Sequence, residues 1–192
     1  MTKELTKRIL SSIIILPLAF YFLLSGSLMS IIFIIICFFI ACYEWHKMTK
    51  NSFHKISGLI FLFFSFYTFY ILSIELYFLI FVILICVSTD IGGYVFGKIF
   101  KGPKLTKISP NKTYSGMIGG YFLSLIFLLI IINFIDYPKT PIQLVIIVLL
   151  ISTISQIGDI VISYFKRKAS IKNTSNLIPG HGGLLDRIDG MI

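Results

Sequence analysis

Charge is scarce in this chain. Of its 192 residues only 13% are Asp, Glu, Lys or Arg, about half the share usual in a water-soluble domain. A particle of this size cannot cover itself with so little polar surface, so the soluble, disordered, fibrous and coiled-coil classes are excluded. Acid is scarcer still, with 8 Asp+Glu against 17 Lys+Arg. Cysteine is limited to Cys37, Cys42 and Cys86, an odd number in apolar stretches at no metal-ligand spacing. They form no disulfide frame and read as core or lipid-facing thiols. No repeat of 20–50 residues occurs.

Long apolar runs fill the space that charge leaves. Hydrophobic residues make up 57% of the chain and aromatics 16%, with a mean hydropathy of +0.95. Six runs approach or exceed the roughly 20 residues a spanning helix needs, at about 9–25, 28–45, 56–73, 77–97, 115–135 and 141–163. The expectation is an all-α polytopic membrane bundle of about six transmembrane helices, a single integral-membrane domain over 1–192. The first run follows Lys3, Lys7 and Arg8 like a signal peptide, but no A-x-A-like site follows it, so it reads as an uncleaved helix.

The distribution of positive charge orients the bundle. With the N-terminus in the cytoplasm, segments 1–8, 46–55, 98–114 and 164–192 lie inside and hold 16 of the 17 basic residues. Only Lys139 lies outside. This alternation is the positive-inside pattern, which explains the net charge of +9 without nucleic acid as a partner. Both termini are expected in the cytoplasm, with the chain in a cell membrane.

Two segments interrupt the apolar pattern, both on the expected cytoplasmic side, and any chemistry belongs there. A carboxylate in or at the end of an apolar helix is costly and marks function by default. Asp90 stands in Ser88-Thr89-Asp90-Ile91-Gly92-Gly93-Tyr94-Val95-Phe96-Gly97-Lys98 and reads as the polar wall of a cleft or as a packing group. Gly93 and Gly97 form a small-xxx-small step that suits a contact within the chain or a homodimer equally. The loop that follows, 101–116, combines Lys, Ser, Thr, Pro and Gly. Its ammonium groups, hydroxyls and backbone N–H groups suit phosphate oxygens, as they would suit a solvated loop.

The last segment carries the strongest signal. Asp159, Ser163, Lys166 and Arg167 fall at i, i+4, i+7 and i+8, on one helix face. Then comes Pro179-Gly180-His181-Gly182-Gly183-Leu184-Leu185-Asp186-Arg187-Ile188-Asp189. Its glycines allow a nest of N–H donors for an anion. Asp186 and Asp189, at i and i+3, point the same way if this end is helical. Carboxylates beside Lys and Arg suit a hard divalent cation together with phosphates. His181, with no second His nearby, reads first as a hydrogen-bond donor to phosphate, ahead of metal ligand, proton donor or turn residue.

The string Gly158-Asp159, Ser163-x-x-Lys166-Arg167, Lys172, then Pro179-Gly180-His181-Gly182-Gly183-x-x-Asp186-Arg187-x-Asp189 resembles the signature of the phosphatidate cytidylyltransferases, the CDP-diacylglycerol synthases. Asp90-x-Gly-Gly-Tyr-x-x-Gly-Lys and Ile108-Ser109-Pro110-x-Lys112-Thr113-x-x-Gly116 also look like that family. The resemblance covers 90–189, about half the chain. Residues 1–85 match in hydropathy alone, and 86–192 carry the motifs. The resemblance implies an enzyme that joins CTP and phosphatidic acid at the bilayer surface to give CDP-diacylglycerol and pyrophosphate.

It further implies catalytic roles for Asp159, Asp186, Asp189 and Lys172, with Mg²⁺, one ion or two, on the three aspartates. Substrate contacts fall to Asp90, Ser109, Lys112, Thr113, Ser163, Lys166, Arg167, His181, Gly182, Gly183 and Arg187. The nucleophile would be a lipid phosphate oxygen, already anionic, so the lack of a Ser-His-Asp set or a Cys nucleophile is consistent with direct transfer. Two features depart from the family pattern. Asn173 stands where members usually have Asp, which keeps an oxygen ligand but loses a charge. The chain also ends at Ile192, where members continue into a further apolar helix, so a naturally shortened or truncated member is expected. The rivals are an inactive remnant of that family and a CTP-dependent membrane lipid kinase. A transporter would place its charges near the midplane within broken helices.

Overall fold

The computed structural model describes residues 3–25, 27–106, 109, 112–132 and 140–192. Seven helices account for the regular structure of these residues: α1 (Lys3–Leu24), α2 (Ser27–Met48), α3 (Ser52–Ile74), α4 (Leu76–Phe100), α5 (Tyr114–Ile131), α6 (Pro141–Lys168) and α7 (Leu185–Ile188). The protein is all-α and polytopic. By length and apolarity α2 to α6 can each cross a bilayer, so five of the six expected spans qualify. The apolar part of α1, Leu10–Leu24, is shorter than a full span. Lys107, Ile108, Pro110, Asn111 and Lys139, used above for charge and motif, lie outside the described residues.

Helix boundaries follow local polar chemistry. Asn51 caps α3, its side chain accepting from the Phe53 N–H, and Thr113 caps α5 by accepting from the Gly116 N–H. The outer faces stay apolar: Phe39, Phe64, Ile91, Leu129 and Ile154 are all exposed. Such surfaces suit lipid and would be a liability in water.

The chain forms two compact units. The first comprises α1, α2, α3, the start of α4 and residues 165–190. Within it, α2 packs on α1, α3 and α7. Gly58 of α3 leaves the space that the Trp45 indole of α2 fills; a Cβ there would lie 1.9 Å from the ring. The indole N–H donates to the His54 carbonyl at 3.1 Å, and the ring meets Phe165 edge-on at 4.7 Å between centroids.

The second unit comprises residues 80–164 and Met191. Its core is Phe81, Ile85, Leu128, Leu144 and Val148 from α4, α5 and α6. Apolar burial drives little between helices in lipid, so close contact and interhelical hydrogen bonds must hold them. Both are present. Gly92 of α4 and Gly119 of α5 lie so close that a Cβ on Gly92 would be 2.3 Å from the Gly119 carbonyl. The Gly93 and Gly97 step meets Gly116 of the same chain. Thr89 donates to Ser152 at 3.0 Å, and Tyr121 shares a 2.9 Å hydrogen bond with Thr153.

Candidate active site

In the second unit, the ends of α4 and α6, with the loop before α5, enclose a cavity of about 270 Å³. Its polar wall is Asp90, Lys112, Thr113, Gln156 and Asp159, with Tyr94 beside them. Glycine makes the recess: Gly93 and Gly116 line it, and a Cβ on Gly116 would be 2.7 Å from the Gly93 carbonyl. The loop folds back on itself, with Leu105 N–H donating to the Lys112 carbonyl at 2.8 Å and Tyr114 N–H to that of Pro103 at 3.1 Å. This turn brings the Lys112 ammonium onto the Asp159 carboxylate, 47 positions away, as an ion pair. Thr113 is fixed by its capping bond to α5. Ser109 braces the loop: its N–H donates to Thr106 and its carbonyl accepts from Lys112 N–H. Neither Ser109 nor Ser163 lines the cavity.

In the first unit, the segment after α6 winds around two carboxylates. The Asp186 side chain, 6% exposed, accepts from Lys166 Nζ at 2.8 Å through Oδ1. Its Oδ2 takes the N–H of Thr174 at 2.8 Å, the N–H of Gly183 at 2.9 Å and the Thr174 hydroxyl at 3.1 Å. Burial pushes the Asp186 carboxyl up, but the Lys166 bond and the two amides outweigh it and hold the group below its ordinary range. Asp189 caps the C-terminal end of α7, with Oδ2 3.9 Å from Lys166. The Lys166 ammonium thus lies near both carboxylates of the i, i+3 pair.

The glycine segment turns as glycine allows, and its N–H donors meet protein acceptors. Gly180 and Gly182 have φ of +77° and +90°, a region that favours glycine. Gly182 N–H donates to the Ile178 carbonyl, Gly183 N–H to Asp186, and the N–H groups of Leu184 and Leu185 to Glu44. His181, expected to reach phosphate, has Nδ1 2.8 Å from the Ser11 hydroxyl and Nε2 3.3 Å from that of Ser12. The Arg187 guanidinium donates to the His181 carbonyl at 2.7 Å. Lys172, Asn173 and Arg167 are exposed.

The expected residues thus fall into two sets. Asp90, Lys112, Thr113 and Asp159 meet in one unit, and Lys166, Asp186 and Asp189 in the other. Among the described residues, no group of three or more His, Cys, Asp or Glu side chains forms a ready metal cluster. Glu44 and Ser11 were missed. Glu44 carried a usable signal, since it is the only acid in the second apolar run, but the basic residues after it read as topology.

The chain matches the cytidylyltransferase family over residues 6–79 and 72–192. It is 41% identical over 118 residues to the phosphatidate cytidylyltransferase of Staphylococcus saprophyticus, which covers 61% of this chain and 45% of that protein. The phosphatidate cytidylyltransferase of Staphylococcus aureus is 42% identical over the same length. The match therefore spans less than half the length of these staphylococcal relatives. Against the phosphatidate cytidylyltransferase of Rickettsia conorii it is 36% identical, over 96% of this chain and 85% of that protein. With both halves of the chain matched by one family, this protein belongs to the cytidylyltransferase family.

Proposed function

We propose that the chain transfers the cytidylyl group of CTP to phosphatidic acid, giving CDP-diacylglycerol and pyrophosphate. The observation that carries this reading is the cavity where Lys112 pairs with Asp159 beside Asp90 and Thr113. Lys112 pairs there with an acid, and both are poised to exchange partners when a polyanion enters. A phosphatidate oxygen attacks the α-phosphorus of CTP, a new P–O bond forms, and the bond to the β-phosphate oxygen breaks as pyrophosphate leaves. The attacking oxygen is already anionic, so no side chain has to remove a proton. What the protein supplies is position and charge.

Lys112 and Lys166 would bind phosphate oxygens, and the exposed Lys172, Arg167 and Arg187 would draw the two anions to the membrane surface. A kinase acting on a lipid alcohol would need a base beside the hydroxyl, and the relatives' names give it no support. The bilayer would hold the acyl chains, and the positive-inside charge pattern supports a cytoplasmic position for these groups, where CTP is present.

Magnesium fits the donor chemistry. Asp159 in one unit, and Asp186 with Asp189 in the other, offer the carboxylate oxygens such a cation prefers, and each set lies beside a lysine ammonium. In Asp186 the loop donors occupy Oδ2, while Oδ1 accepts from the Lys166 ammonium. A bound divalent cation would withdraw charge from the phosphate oxygens.

The test is turnover of labelled CTP into lipid by protein reconstituted with phosphatidic acid. Asp159→Asn should lower kcat on the order of 10²–10³-fold, the scale of losing one preorganised electrostatic group. EDTA should abolish turnover and Mg²⁺ restore it. Wild-type turnover by Asp159→Asn, or turnover indifferent to EDTA, would refute these assignments.

A further inference from the structure

Glu44 sits near the end of α2, and its side chain is fully buried at 0% exposure. Oε1 accepts from the Ser175 hydroxyl at 2.6 Å and the Leu184 N–H at 2.9 Å. Oε2 accepts from the Thr174 hydroxyl and the Leu185 N–H, both at 2.9 Å. Four donors for a two-oxygen acceptor fill the lone-pair sites of a carboxylate. All four come from residues 174–185, the stretch that leads into Asp186, Arg187 and Asp189.

Several features of that stretch are explained by this one side chain. Leu184, at the start of α7, has no side-chain cap, so the first N–H groups of the turn need an acceptor from elsewhere. Glu44 provides it from 140 positions away. Gly183 has to be glycine because a Cβ there would be 2.0 Å from the Thr174 hydroxyl and 2.5 Å from Glu44 Oε1. The Thr174 hydroxyl also lies 3.1 Å from Asp186 Oδ2, so the buried acid and Asp186 share a donor. The backbone donors of this stretch therefore meet carboxylates of the protein itself, Leu184 and Leu185 at Glu44 and Gly183 at Asp186.

We infer that Glu44 is a positioning residue for cytidylyl transfer: its carboxylate sets the conformation of residues 174–185 and thereby the placement of Asp186. This rests on the reaction proposed above. A positioning role differs from a merely structural one in being sensitive to the loss of a single acceptor. In Glu44→Gln the amide nitrogen must face a backbone N–H whichever way it turns, because each oxygen now accepts from one. Rotation of the hydroxyls cannot repair that.

The experiment compares wild type, Glu44→Gln and Glu44→Asp in vesicles of phosphatidic acid and phosphatidylcholine. It reads kcat, KM for CTP, melting temperature and amide hydrogen exchange. For Glu44→Gln, kcat should fall on the order of ten- to a hundredfold, the scale of a lost hydrogen bond to a charged group. KM should stay within about twofold, and exchange should rise in 174–185 but not in α5. Glu44→Asp should recover part of the rate. A kcat for Glu44→Gln within twofold of wild type, unchanged exchange, or rate losses that only track the folded fraction would each overturn the inference. If Glu44→Gln does not insert, Ser175→Ala removes one of the four donors and should lower kcat several-fold with the same exchange signature; a wild-type rate there overturns it. If wild type itself forms no CDP-lipid, the reaction is wrong, while the exchange readout still decides whether Glu44 holds the loop.

Discussion

Asp186 shows how much a single carboxylate can be asked to do. It takes a lysine on one oxygen and three loop donors on the other, and these hold its acidity below the usual carboxylate range against the opposing effect of burial. A carboxyl held below its unfolded value contributes stability that is complete above about pH 4. That contribution fades as pH falls through the lowered native value. In EDTA, the melting-temperature gap between wild type and Asp186→Asn should therefore be widest at neutral pH and close under acid. A gap that stays constant down to pH 2 would contradict the ion pair. That Asp186, Asp159 and Lys112 would need polar partners was legible in the sequence, because charge in an apolar setting is costly. Their partners were not. Lys112 with Asp159 and Glu44 with Leu185 are pairings made by tertiary folding, and no local spacing encodes them.

At the scale of elements, the α4–α5 contact depends on glycine in a position-specific way. Gly92→Ala would place a methyl 2.3 Å from the Gly119 carbonyl, a backbone atom that cannot swing aside. Gly93→Ala would place one 3.7 Å from the Gly116 carbonyl, an ordinary contact. Gly92→Ala should therefore destabilise by about 1–3 kcal/mol, as overpacking does, while Gly93→Ala stays near wild type in a thermal-denaturation series. Equal effects would mean that the helices are not this close. The sequence showed a small-residue step at Gly93 and Gly97 but left its partner open between the same chain and another copy. The apolar runs located α2 to α6 well, because hydropathy reports directly on lipid exposure. α7 is four residues long, and the N–H groups at its start are taken by the distant Glu44 carboxylate, which hydropathy does not register.

At the scale of the whole molecule, two compact units each hold a carboxylate–lysine set, and one helix, α6, contributes to both. The charge asymmetry predicts cytoplasmic termini: a reporter that matures only outside the cytoplasm should stay dark when fused after Ile192, and a bright fusion would invert the topology. Cytidylyl transfer itself is tested most directly by following the phosphates of CTP. The reconstituted protein is given phosphatidic acid and CTP labelled with ³²P at either the α or the γ position. Label from the α-phosphate should appear in the lipid product and label from the γ-phosphate only in pyrophosphate. Label from the γ-phosphate in lipid would mean a kinase, and no label in lipid from folded protein would contradict the proposed reaction altogether.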